Sequence, residues 1–328
     1  MLNACPHADV LTDPDEGALL ENQRFIFVTG KGGVGKTTVS AALGAHLAAA
    51  GRRTLVVVPT GTEKAARLLG VPAIGNTPVE VRPNLYAVHI DPEDAMREYG
   101  LMVLKSRLLY DTLFDNRYVR GFFRGVPGLR EWALLGKAWF LSGGASGEQQ
   151  RSGKEGSESS FDVVVLDAPA TGHGMEVLRV PRVIMDVAPG GRLRADAEAA
   201  WATLTDPAQS AMVLVSLAEE LPVTETLELA HTLADEMGLP IGALVLNMLK
   251  SPLFSPTERA TLLDAPVPTF PEGAEVALYY AVRRASSETV QEESANRLEE
   301  LRLPTVRLPL LPEEPSGFSD VEGLAGHF

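Results

Sequence analysis

The sequence predicts an α/β protein built on a doubly wound, mostly parallel sheet, and three observations carry that reading. Seven runs of strand length are dominated by Val, Ile and Leu without polar alternation, as suits strands covered on both faces. Helical stretches lie between them, the order of a βαβ series. The longest interruption is glycine- and serine-rich, and the strand after it continues the same pattern, so one sheet of seven or eight strands is expected.

RFIFVTG (24–30) is the first strand, and a helix is expected from Lys36 to about Ala50, with Val39, Leu43 and Leu47 four apart. RRTLVVV (52–58), LYAVHI (85–90) and FDVVVLD (161–167) are the second to fourth strands. AMVLVSL (211–217), IGALVLN (241–247) and PTVRLPL (304–310) complete the seven. A helical stretch over 92–141 carries Ala95, Tyr99, Met102, Leu109 and Leu113 at roughly helical spacing. Its second helix, 126–141, places Trp132, Leu135 and Trp139 on one face. That stripe suits core packing, with a cover over a site or a partner groove as the alternative. SGGASGEQQRSGKEGSESS (142–160) has the composition of a flexible surface loop. GRLRADAEAAWATLTDPAQ (191–209) reads as one amphipathic helix and a turn. Residues 1–22 are read as a flexible tail, and 23–328 as one domain with an appended helical subdomain.

Composition narrows the function. Of 328 residues, 29 are Lys or Arg and 43 are Asp or Glu, a formal net charge of −14. A nucleic-acid partner is not expected, because phosphate backbones need a basic footprint. Cys5 is the one cysteine, so no intramolecular disulfide, CxxC metal site or iron–sulfur site is expected. The N-terminus lacks a basic segment followed by an apolar one, and no run of about 18 apolar residues occurs, so a cytoplasmic protein is expected.

The strongest chemical signal is Gly30-Lys31-Gly32-Gly33-Val34-Gly35-Lys36-Thr37-Thr38. It fits the G-x-x-x-x-G-K-[ST] phosphate loop, between a strand and a helix as that motif requires. Glycines let backbone N–H groups wrap phosphates, and a helix N-terminus favours the negative charge. Lys36 is placed to reach the β- and γ-phosphates of ATP, and Thr37 to ligate Mg2+. Asp167 ends an apolar strand, the position of a carboxylate that holds the same Mg2+.

The lysine directly after the first glycine gives GKGGVGKTT, which resembles the variant phosphate loop of a family of ATPases. That family includes partition and septum-positioning ATPases, nitrogenase iron proteins, arsenite-pump ATPases and tail-anchored-protein targeting ATPases. The resemblance implies that Lys31 contacts nucleotide across a dimer interface. Asp167-Ala168-Pro169-Ala170-Thr171-Gly172-His173 is similar to the switch II segment of the arsenite-pump and tail-anchor targeting branch, with Ala168 and Ala170 as departures. For His173, a γ-phosphate-sensing role and an ordinary helix-start histidine stand side by side. SLAEELPVTETLELAHTL (216–233) resembles a strand-plus-helix segment of this ArsA-like branch that carries a proline and a Glu-Thr pair. VLNML (245–249) resembles the adenine-contacting segment, which carries Asn247 over as an adenine contact, and VRLPLLPEEPSG (306–317) resembles the loop around Pro309 that lines the base pocket.

Three departures bear on function. Thr60 falls where the branch has an aspartate that orients the attacking water, and a hydroxyl cannot act as a carboxylate base. Glu63, three residues on, is the substitute candidate, against a plain solvated glutamate. With Cys5 alone, neither the arsenite site nor the zinc site of family members is expected. The stretch from Pro181 to the strand at 211 is too short for the large helical insertion of the targeting members. The expectation is therefore a dimeric ArsA-like ATPase binding ATP and Mg2+, with Lys36, Asp167, Thr60 and Glu63 as candidate catalytic residues. It couples slow hydrolysis to a conformational switch acting on a protein or membrane partner. The alternative is a non-hydrolysing regulatory subunit paired with an active paralogue.

Overall fold

A computed structural model describes residue 20 and residues 22–104, 128–144, 161–169, 173–266 and 272–328. Eight strands form one sheet: β1 (Phe25–Thr29), β2 (Thr54–Val58), β3 (Val79–Arg82), β4 (Leu85–His89), β5 (Val163–Asp167), β6 (Ser210–Leu217), β7 (Ile241–Leu249) and β8 (Thr305–Pro309). Their order is β3-β4-β2-β5-β1-β6-β7-β8, parallel throughout except that β3 runs antiparallel to β4. The described helices are α1 (Lys36–Ala49), α2 (Thr62–Leu69), α3 (Pro92–Leu104), α4 (Leu129–Leu141), α5 (His173–Val187), α6 (Arg192–Thr205), α7 (Glu220–His231), α8 (Pro256–Leu263), α9 (Ala274–Glu299) and α10 (Phe318–Ala325).

The strand side chains alternate between two cores. Ile26, Val28, Val56, Val58, Val165 and Val213 face one core with α1, α2 and α10. Phe25, Phe27, Leu55, Val57, Leu166 and Leu214 face the other, with α4, α5, α7 and the end of α9. Both faces are apolar because both are covered, which is why the strands read as continuous runs. Each fully buried Phe, Ile or Val of β1 contributes roughly 1.5–3 kcal/mol. β3 is the strand that the apolar runs do not reveal. Its sequence VEVR is short, only Val81 is buried, and it sits at the sheet edge.

The tryptophan helix is buried, but it serves two neighbours. Leu135 packs on the sheet, whereas Trp132 and Trp139 pack against Val180 and Ile184 of α5 and Ala197 and Ala200 of α6. The stretch 191–209 forms α6 and a turn. Leu20, within the segment read as a tail, is 5% exposed, joins the first core, and accepts a hydrogen bond from Arg52. Leu109, Leu113 and residues 145–160 of the serine-rich loop lie outside the described residues.

Candidate functional site

The predicted site residues gather at the carboxyl ends of the parallel strands, where open α/β sheets place their ligands. Gly30 follows β1, Thr60 comes two residues after β2, Asp167 ends β5, Asn247 lies near the end of β7 and Pro309 ends β8. A cavity of about 590 Å³ opens among them, lined by Gly33, Gly35, Lys36, Thr37, Thr38, Thr60, Asp167, Asn247 and Pro309. Gly30, Lys31, Gly32 and Val34 complete the loop behind that surface.

Two glycines show why the loop needs its sequence. Gly30 has φ +152°, and a Cβ there would lie 2.3 Å from the Val215 carbonyl oxygen of β6. Gly35 has φ +89° and begins α1, and a Cβ there would lie 2.3 Å from Asn247 Nδ2. A side chain at Gly30 would push the loop off the sheet, and one at Gly35 would displace the Asn247 amide. α1 has no side-chain cap and no acidic residue in its first turn, so its leading N–H groups are left for an anion.

Lys36 is buried and donates to the carbonyls of Gly30 and Lys31, each at 2.9 Å. Burial pulls its pKa below the usual lysine value, and the charge of Asp167 opposes that shift. Asp167 is 4% exposed and accepts from Thr37 Oγ1 at 2.7 Å and from Ser40 Oγ at 3.2 Å. Burial pushes its pKa up to about 6, against the hydrogen bonds of Thr37 and Ser40 and the charges of Lys36 and Lys64. The Thr37 hydroxyl and the Asp167 carboxylate are hard oxygen donors, the kind Mg2+ takes. Among the described residues no group of three His, Cys, Asp or Glu side chains could hold a metal ion. An ion at Thr37 and Asp167 would therefore complete its shell with phosphate and water, the habit of Mg2+.

Asn247 is buried, donates its amide to the Val34 carbonyl at 2.9 Å, and accepts from the N–H of Met248 at 2.9 Å. It braces the phosphate loop from the far strand as well as lining the cavity. Lys31 is not among the lining residues and pairs with Glu225 Oε1 of α7 at 2.9 Å. Thr60 is exposed on the cavity wall. Glu63 is exposed in the first turn of α2 and is not among the lining residues. His173 begins α5, and Ala170, Thr171 and Gly172 lie outside the described residues.

Three contributors were not singled out as site residues from the sequence. Ser40 lies three residues after Thr37 in α1, a helical spacing that puts both hydroxyls on Asp167. Lys64 lines the cavity from α2, and its only sequence signal is its place just past the carboxyl end of a parallel strand. Glu225 belongs to the Glu-Thr pair of the 216–233 segment, and only the fold brings it to Lys31.

Comparison with known proteins agrees with this geometry. The profile of the anion-transporting ATPase family matches residues 23–188. The ATPase BagA of Mycobacterium tuberculosis is 31% identical over 313 residues, covering 90% of this chain and 89% of its own. A putative arsenical pump-driving ATPase of Halobacterium salinarum is 30% identical over 95% of this chain, which spans 46% of that protein. The arsenical pump-driving ATPase of Escherichia coli is 28% identical over 70% of this chain and 40% of its own. No described helix is long and apolar enough to cross a membrane. With its phosphate loop, its carboxylate-ended β5 and a relative matched nearly end to end, the chain belongs to the ArsA-type anion-transporting ATPase family.

Proposed function

We propose that this chain binds ATP with Mg2+ in the 590 Å³ cavity and hydrolyses it slowly to drive a conformational switch. The observation that carries the reading is the hydrogen bond of Thr37 to the buried Asp167 carboxylate, 2.7 Å long and beside Lys36, at the mouth of a glycine loop that opens a helix. Lys36 leaves its loop carbonyls for the β- and γ-phosphates, and the N–H groups of Gly33 to Thr38 wrap them. Thr37 and Asp167 hold the metal, with Ser40 fixing the second carboxylate oxygen. Bound Mg2+ supplies positive charge against the charge that develops on the phosphates. Pro309 and Asn247 flank the base, Asn247 through the amide hydrogen that it does not give to Val34.

The chain acts as a homodimer, or as a heterodimer with a paralogue, in the cytoplasm, on a protein or membrane-protein partner. Lys31 makes the contact across that dimer after leaving Glu225. The pair that it leaves is 46% and 24% exposed, and such exposed pairs contribute only about 0–1 kcal/mol. Calorimetric titration tests the binding. Lys36→Ala is expected to weaken ATP at least ~10-fold, the loss of one charge-assisted hydrogen bond. Equal affinities would sink the reading.

A second reading, a nucleotide-binding regulatory subunit that barely hydrolyses, is favoured by Thr60. It lines the cavity where a water-orienting carboxylate is expected, and Glu63 does not line it. A positioned carboxylate contributes about 10²–10⁴-fold in rate. Slow turnover raised by Thr60→Asp supports an ATPase with a weakened site. Turnover restored only by adding a paralogous chain supports the regulatory subunit. A brisk rate abolished by Glu63→Gln would place the base at Glu63.

A further inference from the structure

We propose that Lys64 is a specificity-determining residue of this site: its ammonium engages the terminal phosphate of a nucleoside triphosphate, and Glu314 holds it at the cavity mouth until that phosphate arrives. The proposal rests on the nucleotide reading above and names the group that would tell a triphosphate from a diphosphate.

The placement comes first. Lys64 lies in the first turn of α2, directly after the turn that carries Thr60, and lines the cavity together with Thr60 and Asp167. Lys36 approaches the same cavity from the phosphate loop, so the two ammonium groups come from separate elements. The charges of both lysines act on the Asp167 carboxyl.

The second observation is what Lys64 does here. Its Nζ lies 3.3 Å from Glu314 Oε1, and Arg67, one turn further along α2, lies 3.9 Å from the same oxygen. Glu314 belongs to the segment after β8 whose residues 310–315 form another wall of the cavity. The pairs tie α2 to that wall across the opening. All three side chains are close to half exposed or more, so the tie is weak and an incoming polyphosphate competes for the lysine.

The third observation concerns cost. A cation in the first turn of a helix opposes the helix dipole, which favours anions there. α2 accepts that penalty at Lys64 while presenting Arg67 in its last turn, the favourable end. A lysine stem is long and flexible enough to swing from Glu314 to a phosphate without moving the helix. With Thr60 in place of a carboxylate, that nearby position carries no negative charge to hold the lysine back.

The test is calorimetric titration of the full chain with MgATP and MgADP. Lys64→Met keeps most of the stem and removes the charge. It is expected to weaken ATP about tenfold, the equivalent of one charge-assisted hydrogen bond, and ADP by less than about twofold. Lys64→Arg is expected to keep the ATP preference. Glu314→Gln frees the lysine and is expected to tighten ATP by about threefold, in line with a weak exposed pair. Equal shifts for ATP and ADP in Lys64→Met, or none, would overturn the proposal, as would weaker ATP binding in Glu314→Gln. Wild-type protein that binds neither nucleotide would overturn the nucleotide reading itself. Wild type that binds ATP while Lys64→Met keeps the wild-type ratio would overturn this inference alone.

Discussion

The floor and the rim of the cavity are built differently. On the floor, Lys36, Asp167 and Asn247 are each no more than 8% exposed, and their polar groups are engaged by Gly30, Lys31, Thr37, Ser40 and Val34. On the rim, Thr60, Lys64, Glu313 and Glu314 are exposed, and two ion pairs, of 3.3 and 3.9 Å, join α2 to Glu314. Buried, hydrogen-bonded groups are costly to rearrange, whereas exposed ion pairs contribute little and exchange readily. The floor is therefore suited to pre-organised phosphate binding. The rim is suited to a change of shape when the bound phosphate changes, the usual division in nucleotide switches.

The largest effect is expected from breaking the floor at Asp167. Asp167→Asn is expected to lower hydrolysis roughly 100-fold, the scale of removing one preorganised charge-stabilising group. Stability is expected to go the other way. The folded-state pKa of Asp167 is raised to about 6 from a reference value of 3.8, so the folded chain holds this proton more tightly than the unfolded chain does. Stability from this group is present at low pH and is lost as pH rises from about 4 to 6, by roughly 3 kcal/mol. Asp167→Asn removes that slope. Melting temperatures measured from pH 4 to 8 are expected to show the variant gaining on the wild type as pH rises, then running parallel to it. A constant difference between the two across that range would count against a strained, buried carboxylate.

The next effect compares two glycines. Gly35 and Gly61 both have positive φ and both precede helices. A Cβ at Gly35 meets Asn247, while one at Gly61 meets nothing within 4 Å. Gly61→Ala is expected to cost only the left-handed backbone penalty, roughly 1–2 kcal/mol. Gly35→Ala is expected to cost more, because the floor has no slack to accommodate the clash. Denaturant titration of the pair checks the order, and equal costs would erase the distinction between floor and rim.

The smallest effect is expected at Lys31. Glu225→Gln removes an exposed pair and is expected to leave the melting temperature within about a degree, consistent with less than ~1 kcal/mol. Sedimentation with MgATP is expected to show more dimer in the variant than in the wild type. Less dimer would mean that Glu225 itself belongs to the dimer contact.

Much of the fold and part of the site were legible in the sequence. The strands of the central sheet announce themselves because both faces are covered, so Val56, Val165 and Leu214 sit in unbroken apolar runs. The phosphate loop is contiguous, so Gly30 to Thr38 needed no tertiary information. The Trp132–Trp139 helix was legible as buried but not as shared between two neighbours. Periodicity reports which side is apolar and is silent on what covers each part of it.

The sequence by itself determined the α/β architecture, the phosphate loop and the carboxylate at the end of β5. These depend on local spacing and on residues whose chemistry is tied to their neighbours. Tertiary structure decided the pairings between distant segments. Thr37 meets Asp167 across 130 residues, and Asn247 meets Val34 across 213. It also turned Lys31 toward Glu225, set Lys64 against Glu314 across the cavity, and left Glu63 off the cavity wall. The physical reason is that strand order in a doubly wound sheet is not chain order. Which loops share the carboxyl edge, and which charges come within reach there, is settled only when β1 is placed between β5 and β6.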